Sequence, residues 1–562
     1  MSRLSNSPFG GQPDWQHLPL AQQVAQMVVV RASGHLFDHQ IRYPAWEPSS
    51  QVLRHWLGEL GVGGVILLGG SAAEVGLRSQ QLQSWAQFPL FLAADIEEGV
   101  GQRFAGATEL PPPMAIAPIA RRDLERGVDL AYQMGKITAQ EAIAIGLNWL
   151  LAPVVDVNNN PANPVINVRA FGDHPDLAGK LAAAFIRGAH EYPVLTTAKH
   201  FPGHGDTATD SHLELPHLPH SRVRLEAVEL PPFRAAIAAG VDSVMSAHLL
   251  IPDLDPVLPA TLSPRILAGL LRRDLSFDGL VVTDALVMGA IARRYGPEEA
   301  CILAVEAGAD ILLMPFDAAA AVQAICGAVG SGRIPAARVQ ASLERIAWAK
   351  RRISTAQLNP DGSPHAWEAV PPPPIQLDQV AQSAAAATVA AILQASMQTE
   401  IPQPLVAVPA GRNVIWRDDG LRCDFLGHHT PAIAQPLGFG YTALTLLDRY
   451  TPAPGLDFTT PPLPTLVQIF VRGNPFRGSA GLPPLIQSLL TSLIEANQLR
   501  ALVVYGSPYL VAPLRSRLPT GVALVFIYGQ MAIAQRLAMA ALFDTPTQAQ
   551  DGFSQRLQPF TT

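Results

Sequence analysis

Eight short apolar runs recur along the chain up to residue 315: QMVVVR (26–31), GVILLG (64–69), LFLAAD (around 91–96), NWLLAPVVD (148–156), LTTAKH (195–200), DSVMSAH (242–248), GLVVTD (279–284) and DILLMP (310–315). Ala- and Leu-rich stretches of helical character separate them. Strands buried on both faces read as nearly continuous apolar runs, which is the pattern of a parallel sheet covered by helices. Eight such units in one continuous region predict a (β/α)8, TIM-like barrel. The charged fraction of 15% against 48% hydrophobic residues agrees, because ordinary soluble domains carry about 25% charge.

At 562 residues the chain is long enough for two or three domains. The break is expected between Thr355 and Asp378, where Asn359-Pro360-Asp361-Gly362 and the four prolines at 371–374 favour an extended connector. The expected organisation is therefore a catalytic barrel over 1–354, a Pro-rich linker over 355–378 and a smaller domain over 379–562. In that last part PLVAVP (404–409), NVIWRDD (413–419), TLVQIFVRG (465–473), LRALVVYG (499–506) and GVALVFIYG (521–529) read as strands. Helical stretches at 484–497 and 531–543 make it an α/β sandwich.

Several function classes are disfavoured at this point. A formal charge of -7 provides no basic field for a nucleic-acid backbone. Cys301, Cys326 and Cys423 are odd in number and lack CxxC spacing, so neither a disulfide framework nor a cysteine metal site is indicated. The first eighteen residues lack the apolar core of a signal peptide, and the Ala-rich stretch 380–398 reads as a soluble helix rather than a membrane span. A cytoplasmic location without a membrane partner is the expectation.

Polar residues close five of the apolar runs: Asp95, Asp156, Lys199 with His200, Ser246 with His248, and Thr283 with Asp284. In a barrel these carboxyl ends meet on one rim, where substrates bind. The sharpest local string is Lys199-His200-Phe201-Pro202-Gly203-His204-Gly205-Asp206-Thr207. Pro and two Gly stop a regular element there, placing His204 and Asp206 in a tight loop. An imidazole two residues from a carboxylate can form a proton-exchanging dyad, although a lone His-x-Asp is more often a local surface pairing. With only four lysines against thirty-five arginines, Lys199 at a strand end is expected to pair with Asp95 or Asp156 or to bind oxygen-rich ligands. Asp284 can attack an electrophilic sugar carbon; taken alone, it could equally cap the helix that follows. Asp95 to Arg103, and Asn163 to Gly172 with Arg169, supply carboxylate and guanidinium groups suited to sugar hydroxyls. His200, His204, His212 and Asp206 form a minor metal-site alternative, but the Pro-Gly break denies them the i, i+4 helical geometry of HExxH zinc proteins.

These residues together resemble family 3 glycoside hydrolases, in their β-N-acetylglucosaminidase branch and two-domain form. KHFPGHGDT (199–207) is similar to the branch's catalytic loop, with further similarity in VGGVILL (62–68), 95–103, LAPVVDVNNNPANPVINVRAF (151–171) and 260–291. The resemblance implies that Asp284 is the nucleophile, that His204 paired with Asp206 is the general acid/base, and that Asp95, Arg103, Arg169, Lys199 and His200 hold the terminal sugar. It implies a retaining, exo-acting β-N-acetylglucosaminidase working on glycosides such as peptidoglycan fragments, with a carbohydrate as partner and neither metal nor organic cofactor. The alternatives within the family are a phosphorylase, because a neutral imidazole does not repel phosphate, and a β-glucosidase; a sugar sensor without turnover is a third. Glu98 replaces the first of two usual glycines, and Ala285 replaces a frequent second acidic residue. Both bear on subsite preference.

Overall fold

The computed structural model describes residues 18–208, 214–353, 374–418, 425–452, 457–473 and 480–545. The chain divides into two compact units, the first comprising residues 1–392 with 473–480, the second the remainder.

All eight expected strands form in the first unit: β1 (Val28–Ser33), β2 (Gly64–Leu68), β3 (Phe91–Ala94), β4 (Trp149–Leu150), β5 (Thr197–Phe201), β6 (Ser243–Ser246), β7 (Leu280–Val282) and β8 (Leu312–Leu313). Hydrogen-bonded order runs β4-β3-β2-β1-β8 and β5-β6-β7. Parallel bridges Trp149↔Leu195, Val154↔Lys199 and Val282↔Ile311 close the ring between β4 and β5 and between β7 and β8. Every strand is parallel to its neighbours, so all eight carboxyl ends lie on one rim. This geometry converts the five polar strand endings into one site.

Inside the ring, Trp149 is fully buried. Its indole N–H donates to Thr197 (2.9 Å) and Ser243 (3.1 Å), linking three strands through side chains with no orphaned donor. The opposite, amino-terminal end is held by two buried carboxylates. Asp242 accepts from Thr196 N–H and contacts His190 and Arg352. Asp310 gathers Arg272, Arg338 and Arg345 and accepts from the Val281 N–H. Lys350, on the helix Ala336–Ile353, is also buried, its ammonium 2.6 Å from Gln26 Oε1 and over the Phe91 ring.

The expected linker falls largely on 354–373, outside the described residues. Its far end packs on the first unit: Gln376 N–H donates to the Ala144 carbonyl and Ala381 N–H to Glu141. That unit therefore extends past the expected boundary at 378, to residue 392. The Ala-rich stretch forms the helix Ser383–Ser396.

The second unit is a six-stranded sheet ordered β11-β10-β12-β13-β14-β9, built from β9 (Gln398–Glu400), β10 (Arg412–Arg417), β11 (Ala443–Leu447), β12 (Thr465–Val471), β13 (Leu499–Gly506) and β14 (Ala523–Ile527). Only β9 is antiparallel. PLVAVP is not a strand: two prolines deprive it of donors, and Val406 is 73% exposed.

Candidate active site

The residues after β3 and β5 form a buried charge wall. Lys199 Nζ lies 2.8 Å from Asp95 Oδ1 and 2.6 Å from Glu97 Oε1. Arg169 grips Glu97 through both Nε and Nη2, each at 2.7 Å, a bidentate geometry that fixes both planes. The Lys199 and Glu97 side chains are 1% and 2% exposed, whereas Asp95 is 36% exposed, which leaves Asp95 as the acceptor facing the mouth. Arg103 is tied beneath it by Nε to the Asp95 carbonyl, 2.9 Å. Burial alone would raise Glu97, but Arg169 and Lys199 outweigh it and hold the carboxyl well below its ordinary range. Burial would likewise lower Lys199, yet Asp95 and Glu97 raise it. The wall is a matched set of ions, Asp95 and Glu97 together balancing Lys199 and Arg169, with Glu97 shared between the two cations.

Asp156, fully buried after β4, organises the next sector. It accepts the His200 backbone N–H, the His200 Nδ1–H (2.8 Å) and the His204 backbone N–H (2.7 Å). The His200 ring thus carries a proton on Nδ1, which fixes its orientation. Burial opposes ionisation of Asp156, but His200 and His204 keep its carboxyl below the usual value.

His204 itself is 2% exposed. Its Nδ1 lies 2.8 Å from the Thr207 hydroxyl, and Asn163 Nδ2 donates to the carbonyls of His204 and Gly205. Gly205 presses on Val157, where a Cβ would come within 1.8 Å of the carbonyl oxygen; only glycine fits this close approach. The expected His204–Asp206 dyad does not form. With the backbone of 204–205 pinned inward, Asp206 turns outward to His220 Nε2 (2.9 Å) and Arg224 (3.3 Å), and Arg224 reaches the buried Glu229 (3.2 Å). Burial pushes His204 down to about 4, against the opposing pull of the Asp156 and Asp284 carboxylates.

Asp284 follows β7 and is partly exposed. It is not a helix cap, since the helix begins at Gly289 with Met288 at its N-cap. One carboxylate oxygen accepts the Ala285 N–H at 2.7 Å. The strand exit is braced on two sides: Leu286 N–H donates to Leu313 and Val287 N–H to Met314 in the β8 exit, and His248 Nε2 donates to the Ala285 carbonyl (3.0 Å). His248 Nδ1 meets Thr261 Oγ1 at 2.9 Å.

Of the expected residues, Asp95, Arg169 and Lys199 join through Glu97, His200 and His204 join through Asp156, and Asp206 leaves the group. Glu97, Asn163 and His248, which the sequence places only within the 95–103 and 163–172 clusters and at the end of the 242–248 run, acquire definite partners here. Glu97 is the second acidic residue of the β3 exit and His248 the last polar residue of DSVMSAH; the sequence marks both positions but not what each one holds. Asn163 has no local signal beyond its turn-rich surroundings. Among the described residues no cluster of three or more His, Cys, Asp or Glu side chains is placed to hold a metal ion; His212 lies outside them.

Residues 19–349 match the glycosyl hydrolase family 3 N-terminal domain, and 405–544 match the bacterial glycosyl hydrolase family 3 C-terminal domain. A β-hexosaminidase A of Pseudoalteromonas piscicida is 39% identical over 254 residues, 43% of this chain and 42% of that protein. A β-hexosaminidase of Alkalilimnicola ehrlichii is 36% identical over 257 residues, 45% of this chain and 73% of that one. Among solved structures, a family 3 β-N-acetylglucosaminidase from Paenibacillus sp. str. FPU-7 superposes with a TM-score of 0.74 at 30% identity, covering 94% of this chain and 97% of its own. The chain thus spans less than half the length of the P. piscicida relative.

Proposed function

This chain belongs to glycoside hydrolase family 3, and from that premise we propose that it is a retaining, exo-acting β-N-acetylglucosaminidase. The observation that carries the reading is the pairing of a buried, fully compensated ion wall, whose one exposed carboxylate is Asp95, with a braced, partly exposed Asp284 on the same rim. Asp95, Arg103 and His200 grip the terminal sugar by its hydroxyls, while Glu97 keeps Lys199 and Arg169 in place. Asp284, with one oxygen on the Ala285 N–H, attacks C1 and forms the glycosyl-enzyme. Water then releases the sugar with net retention.

We assign the proton transfers to an imidazole of the loop after β5. The sequence offers four, His204, His212, His217 and His220; His220 is engaged by Asp206 and His217 is exposed. With His204 pushed down to about 4 by burial, its ring is mostly neutral at pH 7. An efficient acid at neutral pH needs a value near the working pH. We assign the donor role to His212, two residues after Asp210 in the same loop, in place of the His204 that the resemblance implied. Turnover of alkyl and 2,4-dinitrophenyl N-acetylglucosaminides by His204→Ala and His212→Ala separates the roles. Removing the donor cripples the alkyl substrate and spares the activated one. If His204→Ala shows that pattern and His212→Ala does not, the assignment is wrong.

An imidazole in place of a carboxylate as the acid/base also favours a second reading, phosphate as acceptor in place of water, because an uncharged ring does not repel the anion. Product analysis with and without phosphate distinguishes N-acetylglucosamine from its 1-phosphate. Comparison of aryl N-acetylglucosaminide with aryl glucoside, and of peptidoglycan fragments with chitin oligomers, fixes the sugar and aglycone classes.

A further inference from the structure

Five large aromatic side chains are exposed among the described residues: Phe37, Trp46, Phe316, Trp348 and Tyr450. Three of them cluster by topology. Phe37 (62%) and Trp46 (38%) lie in the segment after β1, and Phe316 (67%) lies just after β8. β1 and β8 are hydrogen-bonded neighbours, and β8 adjoins β7, the strand that carries Asp284. Isolated exposed apolar residues are ordinary, but three aromatic ones on the exits of two adjacent strands, next to the strand that leads to Asp284, are not.

The β1 segment is folded back over its own strand. Glu47, 3% exposed, accepts from Arg31 Nε and Nη2 at 3.1 and 2.9 Å. The Arg31 guanidinium lies 5.1 Å from the Tyr43 ring centre and 5.5 Å from that of Trp46, and these two rings stack at 6.1 Å. Trp46 is thus held from below by a cation–π contact and from the side by Tyr43, with its remaining surface open to solvent. On the β8 side, the Phe316 exit is locked to the Asp284 loop by the backbone bonds from Leu286 and Val287. A rigid, preoriented aromatic surface is costly to leave wet unless a ligand covers it.

We propose that Trp46 and Phe316 wall a leaving-group subsite for a second sugar ring, on the β7–β8–β1 side of the mouth. The C–H faces of a β-linked pyranose are apolar and stack on aromatic rings, while its hydroxyls point to water. The wall selects glycosides whose aglycone is another saccharide over those with a small or acyclic one. This deepens the glycosidase reading above and rests on it.

The test uses the full-length protein and two substrates, β-1,4-linked di-N-acetylglucosamine and N-acetylglucosaminyl fluoride, whose leaving group fills no subsite. Trp46→Ala and Phe316→Ala each lower kcat/KM for the disaccharide about tenfold, the range of one lost stacking contact, and leave that for the fluoride unchanged. Trp46→Phe recovers part of the loss. Equal kcat/KM ratios in variants and wild type, or a parallel fall on both substrates, overturn the subsite. A wild-type protein that cleaves neither substrate instead removes the glycosidase reading underneath it.

Discussion

Oδ2 of Asp206 lies 2.9 Å from Nε2 of His220, so the carboxylate beside His204 fastens the two ends of the 207–219 segment and does not orient the His204 ring. Asp206 is on this view a positioning residue. Asp206→Asn is expected to lower kcat several-fold without moving either limb of the pH–rate profile. A shifted limb would restore Asp206 to the proton-transfer machinery. His220→Gln, which keeps a donor near the carboxylate, should recover part of the loss.

Replacing the Asp284 carboxylate removes covalent catalysis altogether. Asp284→Gly is expected to lose roughly 10³-fold or more in kcat, with azide restoring turnover and giving the α-glycosyl azide. Recovery of a β-azide, or unimpaired turnover, would place the nucleophile elsewhere.

Glu97→Gln strips two buried cations of their shared partner. Removing one side of a buried ion network costs about 3–5 kcal/mol, so the melting temperature should fall clearly while KM rises through a displaced Lys199. Thermal melts and Michaelis kinetics measure the two effects separately.

Acid lability follows from His204. Its folded value of about 4 lies below the ordinary 6.5, so the unfolded chain binds the proton first as pH drops. The stability contribution is whole above pH 6.5 and is lost progressively down to 4, on the order of 3 kcal/mol in all. His204→Asn should show a flatter dependence of melting temperature on pH in that window than wild type does. An identical slope in both would count against the buried neutral ring.

Lys350 gives the corresponding effect at alkaline pH. Burial pushes it down to about 7 from 10.5; stability linked to it is full above 10.5 and declines as pH falls to 7. Lys350→Met should melt several degrees higher at neutral pH and lose that slope, readable by calorimetry across the range. Asp95 and Asp284 stay in place in this variant, so activity at ambient temperature should persist.

The barrel was legible because each strand is a nearly continuous apolar run and five of the eight close on polar residues, a pattern that survives without knowledge of partners. LTTAKH and GLVVTD illustrate it: both form strands, and both deliver their terminal charges to the rim. The His204–Asp206 pairing was misread because two-residue spacing says nothing about a backbone pinned by Asn163 and Val157 from a different strand exit. The role of Glu97, read only as one acceptor of the 95–103 cluster, was not legible for a similar reason: it lies in two cations that are distant in sequence. Edge strands β9 and β11 escaped notice because their exposed faces lack the continuous apolar signature of the central strands.

Asp156 receives the backbone of both His200 and His204 as well as the His200 ring. Recognition of the terminal residue and delivery of the reacting loop are therefore keyed to a single fixed point. A substitution there cannot trade affinity against turnover, because both would drift together. Divergence toward new glycosides has to begin farther out on the mouth, where side chains can change without unseating that shared anchor.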